Sequence, residues 1–257
     1  MNLSNHISKE YIEEKLSDLP FKIRVEDTVS STNTLMKEHG HNNGEEYSVL
    51  IASAQTGGRG RMGRSFYSPQ NTGIYMSVLL RPKEDVNPLN ITTDAAVCCA
   101  RVFEKLTGEE SEIKWVNDIY MHGKKVCGIL TESSLGERPF AVLGIGINVL
   151  PPKEGFPDDI KNRAGAVFTE DIPFLRENVV AELLREIFNT YENPARLLLF
   201  EEYKKRSMII GKDILLLRSG GEESAKAIGL NKDYSLIVEK ENGEIENINS
   251  GDVSIKI

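Results

Sequence analysis

The run Gly57-Gly58-Arg59-Gly60-Arg61-Met62-Gly63-Arg64 sets three guanidinium groups among four glycines. A backbone without side chains approaches an anion closely and offers it several N–H donors. Interleaved arginines add charge-assisted bonds to carboxylate or phosphate. The chemistry this spacing suits is anion binding, and the surroundings reinforce it. The chain carries a net charge of -8, yet from Tyr47 to Lys83 there is no Asp or Glu, while Arg59, Arg61, Arg64, Arg81 and Lys83 accumulate. An even spread of the 39 acidic residues over 257 positions would put about five or six in that window.

Two phosphate fingerprints overlie the run. Gly58, Gly60 and Gly63 have the G-x-G-x-x-G spacing, and Gly58 to Ser65 resembles a P-loop with Arg-Ser in place of Lys-Ser. Both need a helix beginning at the last glycine, because the helix N-terminus completes the phosphate site. The segment that follows, Ser65-Phe66-Tyr67-Ser68-Pro69-Gln70-Asn71-Thr72-Gly73, has a proline and turn formers and no helical pattern, so neither fingerprint applies. A disordered Gly-Arg segment of the RNA-binding kind is disfavoured too. The run is pinned between two apolar stretches, Val49-Leu50-Ile51-Ala52 and Ile74 to Leu80, and so reads as a loop between strands.

Two further clusters carry polar chemistry. Lys114-Trp115-Val116-Asn117-Asp118 packs a cation, an amide and a carboxylate around the single tryptophan and is followed by Lys124-Lys125-Val126-Cys127-Gly128. On its own that pattern reads rather as an edge strand with exposed charges and a half-buried Trp. Gly144-Ile145-Gly146-Ile147-Asn148 ends a very apolar strand, where glycine costs stability unless something lies close against the backbone.

The elements that must position these residues are legible from periodicity and punctuation. Helices are expected over Ser8–Leu16 and Thr32–His39, the second capped by Ser30-Ser31-Thr32 and stopped by Gly40. A longer helix is expected over about 92–106 with Gly108 as its stop, and two more near 174–192 and 194–207, interrupted at Pro194. Strands are expected near 21–26, 48–54, 73–81, 112–119, 124–134 and 139–149, with His122-Gly123 as a hairpin turn. From Gly211 onward, short strands at Asp213–Leu217, Ala225–Leu230, Ser235–Glu239 and Val253–Ile257 alternate with turns, as in a small β-barrel. The fold class is α+β: a mixed central sheet with flanking helices over 1–208 and a small SH3-like barrel over 209–257.

Length and 40% apolar content allow a sizeable core. A pI near 5.2 argues against a general nucleic-acid or anionic-membrane binder, so any anion site is local. The first residues lack the apolar core of a signal peptide, and no run approaches a membrane span, so a cytoplasmic setting is expected. Cys98, Cys99 and Cys127 form neither a disulfide framework nor zinc spacing, and His6, His39, His41 and His122 fall in polar contexts without evident partners. No metal ligand is assigned.

Taken together, the arginine-glycine loop, Lys114-Trp115-Val116-Asn117-Asp118, Lys124-Lys125-Val126-Cys127-Gly128 and Gly144-Ile145-Gly146-Ile147-Asn148 resemble, in order and spacing, the biotin protein ligases. Ser31-Thr32-Asn33 matches that family's Ser-Thr-Asn signature and Gln55 the glutamine before its loop. The resemblance runs from about residue 21 to the C-terminus. It implies activation of biotin by ATP and Mg2+ to biotinyl-5′-AMP with release of pyrophosphate. Transfer to a lysine of a biotin carboxyl carrier domain follows. Catalysis is implied for Lys125, Arg61 and Arg59, and biotin binding for Ser31, Thr32, Asn33, Gln55, Arg59, Gly60, Arg61, Lys125, Gly128 and Gly144. The two glycines leave room for the apolar tail. Nucleotide binding is implied for Arg61, Arg64, Lys114, Asn117, Asp118 and Asn148.

The chain departs from the family in two places: Val116 stands where Pro is usual, and Phe66 where Trp is common. No residue is marked for the adenine. The Ser-Thr-Asn signature already at Ser31 leaves too few preceding residues for the winged-helix module of the repressor members, so no DNA binding is expected; a homodimer is compatible with the resemblance. Alternatives are a lipoate or octanoate ligase of the same fold and a non-catalytic biotin-binding module. The arginine loop favours biotin over the first, and Lys125 favours catalysis over the second.

Overall fold

The structure, a computed structural model, describes residues 6–82, 88–218, 221–249 and 251–255. Lys83 and the last two positions of the expected strand 253–257 lie outside these residues.

Near-continuous apolar runs form strands buried on both faces, because such segments can satisfy neither face with water. β2 (Ser48–Gln55) and β3 (Gly73–Leu80) are of this kind and lie inside a seven-stranded sheet. β1 (Lys22–Val29) runs parallel to β2 through the crossover helix α2 (Thr32–His41). The remaining pairs are antiparallel: β4 (Glu112–Lys114), β5 (Asp118–Met121), β6 (Lys124–Ser134) and β7 (Phe140–Asn148), in the order β1-β2-β3-β7-β6-β5-β4.

Register divides the work of the two faces. Ile51, Met76, Ile145 and Ile129 stand in one cross-strand row, in the main core cluster with residues of α3 (Pro88–Thr107) and α4 (Leu175–Glu192). Each such fully buried side chain contributes about 1.5–3 kcal/mol. On the other face α2 covers one end, where Met36 meets Leu50, Leu79, Phe140 and Val142. Toward the other end the rows read Leu50-Ser77-Gly144-Leu130 and Tyr75-Gly146-Gly128-Asp118-Lys114. Glycines at three of these crossings leave a floor instead of a packed layer.

Several expected boundaries shift for physical reasons. α1 (Lys9–Lys15) lies inside the expected Ser8–Leu16, whose two end residues are its caps. α2 is capped by Ser31, whose Oγ accepts from Thr34 N, but Gly40 does not end it. Gly40 is buried inside the helix, where a Cβ would stand 2.6 Å from the Phe140 ring, so the glycine serves close packing and the helix ends at Asn42. α3 begins at Pro88, a residue pre-set for the first helical turn, and stops at Gly108 in the left-handed region with its N–H on Glu104 O.

The single strand expected over 112–119 is two strands, because Trp115–Asn117 reverses the chain and Lys114 pairs with Asp118. The Trp115–Val116 peptide is cis. His122 and Gly123, both at positive φ, make the expected hairpin turn between β5 and β6. Pro194 separates α4 from α5 (Arg196–Arg206).

The terminal unit is an antiparallel sheet of β8 (Asp213–Arg218), β9 (Gly221–Leu230), β10 (Leu236–Lys240), β11 (Ile245–Ile248) and β12 (Asp252–Ile255), ordered β11-β10-β9-β8-β12. β11 was not anticipated. Its Ile-Glu-Asn-Ile pattern is an edge strand with one buried residue, Ile248.

Candidate active site

The glycine floor is ringed by side chains from α2, the arginine loop, and the β4–β6 region. At the N-terminus of α2, Thr32 donates through its backbone N and its hydroxyl to Gln55 Oε1, at 2.9 and 3.2 Å. Gln55 Nε2 donates to Ser68 Oγ at 3.0 Å, and Ser68 donates to Phe66 O. Ser77, fully buried on β3, has its Oγ 2.9 Å from Thr32 Oγ1 and 2.7 Å from Asn33 Oδ1. Buried polar groups are costly unless paired, so this network fixes the Ser-Thr-Asn segment against β2 and β3.

The arginine run folds as a small hairpin. Arg59 bridges Ser65, Gly60 N donates to Arg64 O at 2.7 Å, and Phe66 N donates to Gly58 O at 2.9 Å. A single 3-10 turn over Arg61–Gly63, with Met62 at positive φ, is the only helical element in it, and residues 65–72 are non-helical, as the sequence requires. Gly58 is obligatory here. A Cβ would lie 2.5 Å from Phe66 O and 2.6 Å from Ser68 Oγ.

The reversal between β4 and β5 is held from both sides. Behind it, the Trp115 indole donates to Tyr234 O at 2.8 Å, and the Tyr203 hydroxyl donates to Val116 O at 3.1 Å. Burial pushes the Tyr203 phenol well above its ordinary value, so it stays a donor. Trp115 is thus buried, not half-buried on an edge strand. In front, Asn117 is clamped to Ile129 through N–H···O bonds in both directions and accepts from Arg61 Nη1 at 3.4 Å. Asp118 pairs with Lys125 Nζ at 2.6 Å. Consecutive residues of one turn therefore hold the two cations Arg61 and Lys125. Lys125 Nζ lies 5.9 Å from the centre of the Phe66 ring, and a Cβ on Gly128 would come within 3.3 Å of that ammonium.

Ser31, Thr32, Gln55, Arg61, Asn117, Asp118, Lys125 and Gly128 are thus brought to one end of one sheet face. Others stand differently from expectation. The room over Gly144 is taken by Asn33, whose Oδ1 would be 1.9 Å from a Cβ there, and Asn33 is itself tied to Ser77, Leu130 O and Glu132. The Arg59 guanidinium is engaged by Glu132 at 3.2 Å. Asn148, at the end of β7, donates from Nδ2 to Gly165 O at 2.9 Å and so anchors the 164–167 segment. Gly60 and Arg64 lie in the loop hairpin, and Lys114 follows Asp118 in the cross-strand row. Unanticipated were Ser77, Ser68, Glu132 and the placement of Phe66 across Gly128 and Gly146, for which the paired strand glycines are the one sequence signal.

Among the described residues no group of three or more His, Cys, Asp or Glu could hold a metal ion. His6 pairs with Asp27, His39 with Ser48 and His122 with Glu109, so three histidines do have hydrogen-bond partners. The three cysteines are buried and unoxidised. No helix of the described residues is long and apolar enough to cross a membrane.

Comparison with known proteins gives a consistent result. The profile of the biotin/lipoate A/B protein ligase family matches residues 25–148, and that of the biotin protein ligase C terminal domain matches residues 209–256. The bifunctional ligase/repressor BirA of Bacillus subtilis is 33% identical over 242 residues, spanning 89% of this chain and 72% of that protein. The biotin–[acetyl-CoA-carboxylase] ligase of Mycobacterium tuberculosis is 32% identical over 194 residues, 72% of this chain and 69% of that one. Among solved structures, the biotin protein ligase from Aquifex aeolicus in complex with biotin and ATP superposes with a TM-score of 0.75 at 29% identity, covering 91% of this chain and 98% of that one.

Proposed function

Because the chain belongs to the biotin protein ligase family, we propose that it activates biotin with ATP and transfers it to a lysine of a biotin carboxyl carrier domain. The observation that carries this reading is the pair Arg61 and Lys125, held by Asn117 and Asp118 beside a glycine floor and the Gln55–Thr32 cluster.

In the first step a biotin carboxylate oxygen bonds to the α-phosphorus of ATP, and the bond from that phosphorus to the bridging oxygen breaks, releasing pyrophosphate. Both reactants are anions, so fixed cations must offset their repulsion and stabilise the charge at phosphorus. Lys125 and Arg61 supply it, with Arg64 and Lys114 toward the phosphates. The Thr32, Gln55 and Ser31 cluster and the backbone of Arg59–Arg61 suit the polar ureido ring, and the floor at Gly128 suits the apolar tail. In the second step the carrier lysine amine attacks the acyl carbon, and AMP departs with the electron pair of the broken acyl–oxygen bond.

Magnesium takes oxygen ligands and is usually bound by one or two carboxylates together with substrate phosphates. The residues present fit that mode and not a protein cage: Asp118 is the carboxylate at hand, with the amide oxygens of Asn117 and Asn148 near the same sheet end. When bound, the ion would neutralise phosphate charge. The same reading includes a division into a catalytic unit over 1–208 and a terminal unit over 209–257, supported by the profile match that begins at 209, and a cytoplasmic setting.

A radiolabelled-biotin assay with ATP, magnesium and a biotin carboxyl carrier domain tests the proposal. Biotinyl-adenylate should form without the carrier and label should pass to the carrier lysine when it is added. Adenylation of lipoate or octanoate in preference to biotin would replace the reading, as would binding of biotin with no adenylate formed.

A further inference from the structure

Glu132 sits on β6 with its side chain 16% exposed, at a place where the chemistry above calls for no acid. Both of its oxygens are occupied from separate segments. Lys37 Nζ, one turn into α2, donates to Oε1 at 2.9 Å, and Asn33 Nδ2 donates to Oε2 at 3.1 Å. Arg59 Nη1, from the arginine loop, donates to the same Oε2 at 3.2 Å. Burial by itself would raise this carboxyl. The bonds from Lys37 and Asn33, with the charges of Lys37 and Arg59, more than offset that and hold it below its ordinary value, so it is an anion at neutral pH. An arginine already paired with a shielded carboxylate is a poor partner for a second anion, because the two anions repel each other.

We propose that Lys37, Glu132 and Arg59 form an ionic latch that fixes the arginine loop against α2 and β6. In it Arg59 and Glu132 are positioning residues for biotin binding, not groups that touch the reacting atoms. The loop backbone set against the ureido ring runs from Arg59 to Arg61, and the latch grips its first residue. Holding it before ligand arrives removes an ordering cost from binding. The catalytic consequence rests on the biotin ligase reading; the mechanical one does not.

Amide hydrogen exchange over residues 57–66, in the full chain without ligand, tests the latch directly. Glu132→Gln and Arg59→Gln should each speed exchange there by about fivefold, as expected for loss of one partly exposed ion pair, and leave β3 and β7 unchanged. The double variant should exceed neither single variant, since both break one contact. In 1 M salt the wild type should approach the variants, and Arg59→Lys should recover part of the protection. In steady state Glu132→Gln should raise KM for biotin by up to about fivefold, the same factor as the loop opening, with kcat and KM for ATP held, the pattern of lost uniform binding. Unchanged loop exchange in both variants, or additive effects in the double, overturns the latch. If Glu132→Gln does not fold, Arg59→Gln decides alone, because Arg59 is half exposed and lies in the loop hairpin. A wild type that protects the loop but makes no biotinyl-adenylate would sink the ligase reading and leave the latch standing.

Discussion

Lys125 carries the heaviest chemical assignment of any single side chain, and its surroundings say what its loss should do. Its ammonium is paired with Asp118 and lies against Phe66, on the side of β6 where glycine replaces a side chain. Lys125→Ala should leave the fold intact and slow single-turnover pyrophosphate release by about 10²–10³, the usual effect of deleting one fixed group that stabilises developing charge. A normal adenylation rate in that variant would remove the assignment. Gly146 tests the floor. A methyl there would lie 2.7 Å from Phe66 Cε1 and within 3.0 Å of two further ring atoms. Gly146→Ala should therefore destabilise the protein by about 1–3 kcal/mol in urea titration, and Phe66→Leu added to it should recover much of the loss. The pairing of Gly144 with Gly146 announced in the sequence that something lies close to this strand. It did not announce what, because Asn33 and Phe66 arrive from segments about 110 and 80 positions away. The same distance hid Glu132, an ordinary strand acid until its three partners are seen together.

At the scale of elements, the turn between β4 and β5 is where local pattern and tertiary context conflict. Trp115 and Val116 favour extended structure, so the sequence reads as one strand over 112–119. The reversal is imposed by bonds to Tyr234 and Tyr203, 119 and 87 positions downstream, which no window can register. The helices were legible because periodicity, the serine cap of α2 and the Gly108 stop are local signals. Gly40 misled because a glycine spent on close packing looks in sequence like a glycine spent on a turn. Removing one support of the turn should show its role. Tyr203→Phe keeps the fully buried ring but strips the donor from Val116 O, at a cost of about 1–3 kcal/mol in stability. With Asn117 and Asp118 next in the chain, KM for ATP should rise by about threefold to tenfold while KM for biotin stays near the wild-type value. Equal changes in both constants would mean that the turn does not act on the nucleotide side in particular.

For the whole molecule, the helical layer behind the sheet and the turn in front of it are connected through α5, and charge makes that connection sensitive to acid. Arg206 donates to both Glu104 on α3 and Glu202 on α5, and Arg101 on α3 bonds Glu202 and Glu186, joining three helices in one ionic network. The bond from Arg206 lowers the Glu104 carboxyl. Burial would raise Glu202, but Arg101 and Arg206 more than offset it, and it too lies below its ordinary 4.5. A carboxylate whose folded pKa is below its unfolded one stabilises the fold fully above the unfolded value and loses that contribution as pH falls through the folded value. The urea midpoint should therefore be level from neutrality down to about pH 5.5 and fall below about 4.5. Arg206→Met should be less stable at neutral pH and show a shallower acid slope. Because Tyr203 sits on the same helix and holds Val116, adenylation should be lost together with the acid transition of α5, before the central sheet unfolds. A midpoint flat down to pH 3, or activity that outlasts the loss of α5 protection in hydrogen exchange, would separate the network from the site.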